Sequence, residues 1–140
     1  MQNYKLTDFD SIIRLSDNAC IPADPANTDY AEYLKWLSEG NVPLPVDPPS
    51  QEQIKQSLIN AIQSYLDKEA QAHFYDGILS LCSYATSTNQ KFGPEGQAGV
   101  VWRDACWSVG YAVLAECEAG TRTIPTVEEL LAEMPVMVWP

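Results

Sequence analysis
The sequence predicts a mainly α protein: a small N-terminal β-hairpin plus helix, a proline-rich linker, and a C-terminal bundle of three to four helices. Three observations predict it. The proline-free stretch Gln97–Glu118 is apolar and long enough for about six helical turns. The stretch Gln51–Ala72 carries Ile54, Leu58, Ala61, Ile62, Tyr65 and Leu66 on one helical face, with Lys55, Gln56, Asn60, Gln63 and Asp67 opposite. Between hairpin and bundle, Asn41–Pro49 holds four prolines and is excluded from helix or central strand. The resulting organisation is a β-hairpin and helix subdomain over 1–40, a linker over 41–50 and a bundle domain over 51–140.

Residues 1–10 show little periodicity and read as an extended lead-in. Ile12–Leu15 and Ala19–Pro22 read as two short strands around Ser16-Asp17-Asn18, a turn in which Asp and Asn bond locally to the backbone. Pro22 ends the second strand or keeps it at an edge. A lone hairpin is only marginally stable, so it packs on something or pairs with a partner, which makes Ile12, Ile13 and Leu15 candidate contact residues. Asn27 or Thr28 is placed to cap a helix over Asp29–Ser38, and Gly40 stops it. Tyr30, Tyr33, Leu34 and Leu37 fall at helical spacing. Either these aromatics cover the hairpin, or Tyr30, Tyr33 and Trp36 present a docking surface.

Ser50 with Gln53 forms a capping box for the helix running to Ala72, and Phe74-Tyr75-Asp76-Gly77 breaks it. A shorter helix, Ile78–Thr86, and a polar loop, Thr86–Gly93, lead into the central helix. There Val101, Ala105, Val109, Ala112 and Leu114 form an apolar stripe that Trp102 and Tyr111 broaden, and Trp107 and Val100 call for cover on more than one side. Ala119-Gly120 ends it, and Thr126 with Glu129 opens a last short helix to Glu133. Val136–Trp139 is too short for an element of its own. It tucks back onto the bundle or inserts into another chain, with Trp139 as the anchor.

Composition narrows the function. Across 140 residues the net charge is −11 with a pI near 4.2, so the electrostatic term for nucleic-acid backbones and anionic membranes is repulsive. The N-terminus lacks the basic and apolar segments of a secretion signal, which implies cytoplasmic synthesis. Cys20, Cys82, Cys106 and Cys117 are scattered, and His73 is the single histidine, so free thiols are expected and no metal or other cofactor. Glycines 93, 96 and 99 follow a polar loop instead of a strand and do not read as a phosphate cradle. Asp8/Asp10 and Glu128/Glu129 read as solvated or helix-start charge. With no nucleophile, base and orienting acid to assemble, the chain reads as a non-enzyme.

The run Ser11–Pro45, with its IIRLSD strand, IP-x-DP-x-N turn, DY-x-x-YL-x-WL helix and GN-x-P-x-P linker, resembles the segment found in tail-fibre and tail-fibre-assembly proteins of tailed bacteriophages. Over about 94–140, the W-R-x-x-x-W helix (Trp102, Arg103, Trp107), the PT-x-EEL start at Pro125–Leu130 and the terminal Trp-Pro resemble phage tail assembly chaperones. The resemblance implies an acidic accessory protein that binds a trimeric tail-fibre protein and assists its folding, trimerisation or attachment. It would act in the host cytoplasm during assembly, and some members stay on the virion tail. A permanent structural component of the tail or fibre is the competing reading, with self-association as a second mode. An acidic DNA mimic would need carboxylates in a regular double row, whereas these are dispersed among apolar positions.

Overall fold
The computed structural model describes residues 3–140. The chain is mainly α with a small antiparallel sheet at its start, and it divides into two compact units, the first ending at Pro49 and the second starting at Ser50.

In the first unit, β1 (Tyr4–Leu6), β2 (Ser11–Arg14) and β3 (Ala19–Pro22) form an antiparallel sheet in that order. The lead-in is therefore a strand, with Tyr4 opposite Arg14 and Leu6 opposite Ile12. Its outer edge is covered by Leu44, whose N–H donates to the Tyr4 carbonyl and whose carbonyl accepts from Leu6 N–H, both at 2.9 Å. Lys5 adds an ion pair with Asp47 at 2.5 Å. The start of the proline-rich segment is thus an edge of this sheet, where prolines are tolerated, and not a free linker over 41–50.

The turn after β2 places Asn18 at φ +57, a left-handed angle that asparagine accepts. Arg14 bonds both the turn, at Asp17 (2.8 Å), and the next helix, at Asp29 (2.9 Å). That guanidinium, with the Ala19 N–H, holds the Asp17 carboxyl below its ordinary value. Helix α1 (Thr28–Ser38) begins where the Asn27 side chain accepts from the N–H groups of Asp29 and Tyr30. Its aromatic stripe lies on the sheet: Tyr33 joins Tyr4, Ile12 and Ile21 in a buried cluster against which Tyr30, Trp36 and Leu37 pack. The Tyr4 ring meets both Tyr33 and Trp36 edge-on at 5.1 Å.

The second unit holds α2 (Gln51–Ala72), α3 (Ile78–Ser83), a 3₁₀ turn at Tyr84–Thr86, α4 (Phe92–Glu118) and α5 (Val127–Ala132). Both predicted capping boxes form, Ser50 with Gln53 and Thr126 with Glu129. Asp67 on α2 accepts from the Ile78 N–H at 2.9 Å, fixing the start of α3. The core gathers Leu58, Ile62, Leu66, Leu81, Trp102, Cys106, Val113 and Leu130 with Met134 and Met137.

Helix α4 starts at Phe92, earlier than expected, because the Asn89 side chain accepts from the N–H groups of Lys91 and Phe92 and Pro94 falls where a proline costs little. Its inward face is Trp102, Cys106, Gly110 and Val113, preceded by the buried Gly93, Gly96 and Gly99. Val101 and Tyr111, expected on the inward stripe, are exposed. The helix is apolar around much of its circumference, so spacing alone sets its phase poorly. The glycines are not incidental: they form the face that lies against Leu81 and the 3₁₀ turn.

Candidate interaction surfaces
Each unit buries some of its apolar side chains and exposes others. In the first, Ile12 and Tyr33, expected as contact residues, are 4% and 6% exposed, so the folded state withdraws both from any partner and they are core residues instead. Alternation places Ile12 on the face beneath α1 and Ile13, half-buried, on the other. Tyr30 and Trp36 are half-buried against the same cluster, while Leu15 is 37% exposed. The sheet edges are both blunted. Leu44 covers β1, and at the outer side of β3 Pro22 has no N–H while its carbonyl accepts from Asp24 N–H at 2.8 Å.

In the second unit the segment after Glu133 is held to the bundle. The Pro135 carbonyl accepts from Trp102 Nε1 at 2.7 Å and from the Tyr65 hydroxyl at 3.4 Å. Met137 is buried, and the Trp139 ring stacks on His73 at 3.7 Å while its Nε1 donates to Glu69 at 2.9 Å. Trp139 thus spends its apolar face and its donor within its own unit. Sequence pattern could not have found these partners, because nothing in VMVWP points to His73 or Glu69.

Helix α2 ends in a Schellman motif: Tyr75 N–H donates to the Ala70 carbonyl (3.1 Å) and Phe74 N–H to the Gln71 carbonyl (3.0 Å). The left-handed position, where glycine is usual, is occupied by Phe74 at φ +70, and its side chain is 98% exposed. The turn's hydrogen bonds hold that angle, but the exposed ring adds no packing to offset its strain. Phe74→Gly is expected to stabilise the protein by about 0.5–1 kcal/mol, the relief of a left-handed side chain less the added freedom of the unfolded chain. Thermal unfolding checks it, and a lower midpoint would show that the ring packs. Beside Phe74 lies an open cleft of about 350 Å³ with Tyr84, Phe92 and Lys91 among its walls. A second hollow, about 180 Å³, has Ile54, Leu58, Leu114 and Ile124 in its lining and the Lys55–Glu118 ion pair, at 3.2 Å, among its other residues.

Two partly or fully buried groups of this unit have raised values. Burial pushes the Cys106 thiol from 9.0 up to about 11. Burial, and then the hydrogen bond to Glu95 at 2.5 Å, pushes the Tyr75 phenol up to about 12. Both values are raised, so the neutral forms stabilise the fold fully below the unfolded values, and this stabilisation is lost as pH rises through the folded ones. The urea midpoint is expected to be flat from about pH 7 to 9 and to fall between about pH 9 and 12. A midpoint unchanged at the upper end would show both groups to be solvated. Among the described residues no group of three or more His, Cys, Asp or Glu side chains is arranged to hold a metal, and no helix is long and apolar enough to cross a membrane.

No protein-family model matches the chain, and neither a curated protein nor a solved structure matches it.

Proposed function
We propose that the chain is a non-enzymatic binding module that assists the assembly of a phage tail fibre. The observation that carries a binding role is the set of large apolar side chains held in solvent by ordered backbone: Phe74, Leu79, Val101, Tyr111, Val136 and Val138, on a chain of net charge −11. Scattered apolar side chains need no explanation, but a phenylalanine at a strained left-handed position does. Glycine would close the same Schellman turn with less strain, and strained non-glycine positions cluster at functional sites. The phage context is supported by the resemblance of Ser11–Pro45 to tail-fibre-associated proteins. A fibre before closure exposes strand edges and apolar surface that aggregate, and an acidic partner covering them would keep the fibre in solution and reject wrong contacts.

Co-expression with a trimeric tail-fibre protein tests the reading. The fibre is expected to move from the pellet to the soluble fraction and to co-purify with the chain. A fibre equally insoluble with and without it would overturn the assembly role. Mass spectrometry of purified virions then separates an assembly factor, absent or sub-stoichiometric, from a permanent tail component, present in fixed ratio.

A further inference from the structure
The segment after Met134 is anchored at Pro135, Met137 and Trp139, and Val136 and Val138 stand open between those anchors. Tyr65, which touches Pro135, and His73, which stacks on Trp139, lie eight residues apart along α2 and its cap, about 12 Å at 1.5 Å per residue. The four steps from Pro135 to Trp139 cover about 13 Å only when extended. Exposure alternates accordingly: Val136 and Val138 are each 80% exposed, Met137 is buried and Trp139 half-buried. Among the described residues, no backbone N–H or C=O from Val136 to Trp139 has a hydrogen-bond partner.

We infer that this segment is an acceptor strand, to which an extended segment of a neutral or basic β-rich protein adds by main-chain hydrogen bonding. The inference rests on the binding-module reading and names its site and partner. An extended, unpaired backbone selects an extended partner, since its donors and acceptors are spaced for a β-ladder. Outward Val136 and Val138 favour β-branched or aromatic residues at alternate positions of the incoming strand. The stretch is already straightened by its Pro135 and Trp139 anchors, so little backbone entropy remains to be lost on binding. The first unit covers its β1 edge at Leu44 and blunts its β3 edge at Pro22, whereas among the described residues nothing pairs with the backbone of 136–139. Charge selects between partners: a second copy brings a further −11, whereas a neutral or lysine-bearing strand does not repel.

The test uses the full chain and a synthetic acetylated peptide of repeating Lys-Val-Thr-Val, read by amide hydrogen exchange. Saturable slowing of exchange within 136–139, by tenfold or more, is expected. It should disappear in Val138→Pro, which removes a main-chain donor that has no partner in the folded chain. It should also disappear in the Val136→Lys/Val138→Lys pair, which leaves the backbone intact and guards against a proline that unfolds the segment. Protection appearing instead around Cys20 or Phe74, protection that persists in both variants, or no protection at all overturns the acceptor strand. So does a dimer, in sedimentation, that Val138→Pro dissociates, since the occupant is then a second copy. Fibre co-expression separates the two readings. A fibre solubilised equally by parent and variants leaves the assembly role standing and removes the strand, whereas peptide protection without fibre rescue does the reverse.

Discussion

Trp102→Ala is expected to lower the unfolding free energy by about 3–5 kcal/mol, the range for removing a large aromatic from a core. The indole is 4% exposed, packs at 5.6 Å from the Tyr65 ring, and donates its only N–H to the Pro135 carbonyl at 2.7 Å. Alanine leaves a void between α2 and α4, and strips Pro135 of its shorter hydrogen bond. Trp102→Phe separates these two losses. It keeps most of the ring volume and forfeits the donor, so it should cost about 1–3 kcal/mol. Urea unfolding by far-UV dichroism reads both. A Trp102→Ala midpoint within error of the parent would show that the indole is not a core residue.

How far the sequence could be read depended on distance along the chain. Helices α1, α2 and α5 were legible because their capping side chains, Asn27, Ser50 with Gln53, and Thr126 with Glu129, stand within three residues of the groups they satisfy. Strand β1 was not. Three residues are too few for alternation to register, and the residue that covers its outer edge, Leu44, comes from the far side of two strands and a helix. The docking residues divided in the same manner. Period-two spacing shows that Ile12 and Ile13 face opposite ways, but which faces inward is decided only by where α1 lies. Tyr33 was correctly placed on an aromatic stripe whose use, cover or contact, the stripe itself does not reveal. Trp139 found its partners on α2 and its cap, and with them came the open strand, which no local pattern announces.

The packing role of the α4 glycines has no local sequence signal, and Gly96→Ala is expected to destabilise the fold. A Cβ at Gly96 would stand 2.5 Å from both the Ala85 nitrogen and the Tyr84 carbonyl carbon, and 3.0 Å from the Ala85 Cα. All three are backbone atoms of the 3₁₀ turn, so no rotamer change relieves the contact, and the helix and turn must separate. Overpacking of this kind costs about 1–3 kcal/mol, occasionally more, which exceeds the roughly 1 kcal/mol that alanine gains over glycine in a helix. The net effect should be destabilising, and Gly96→Val more so, since the branch adds volume on the same side. Gly110→Ala is the control. Its Cβ would meet the Ile62 Cδ1 at 2.6 Å, the far end of a side chain that can turn away, so strain and helix propensity nearly cancel. Gly99→Ala falls between them, because it meets not only a terminal methyl of Leu81 but also the branch-point Cγ, both at 2.7 Å, and the branch point has less room to move. The order Gly96 worse than Gly99 worse than Gly110, measured as urea midpoints, is the expected result. Equal effects at Gly96 and Gly110 would mean that α4 does not rest on the 84–86 backbone, and that these glycines serve only to loosen the helix.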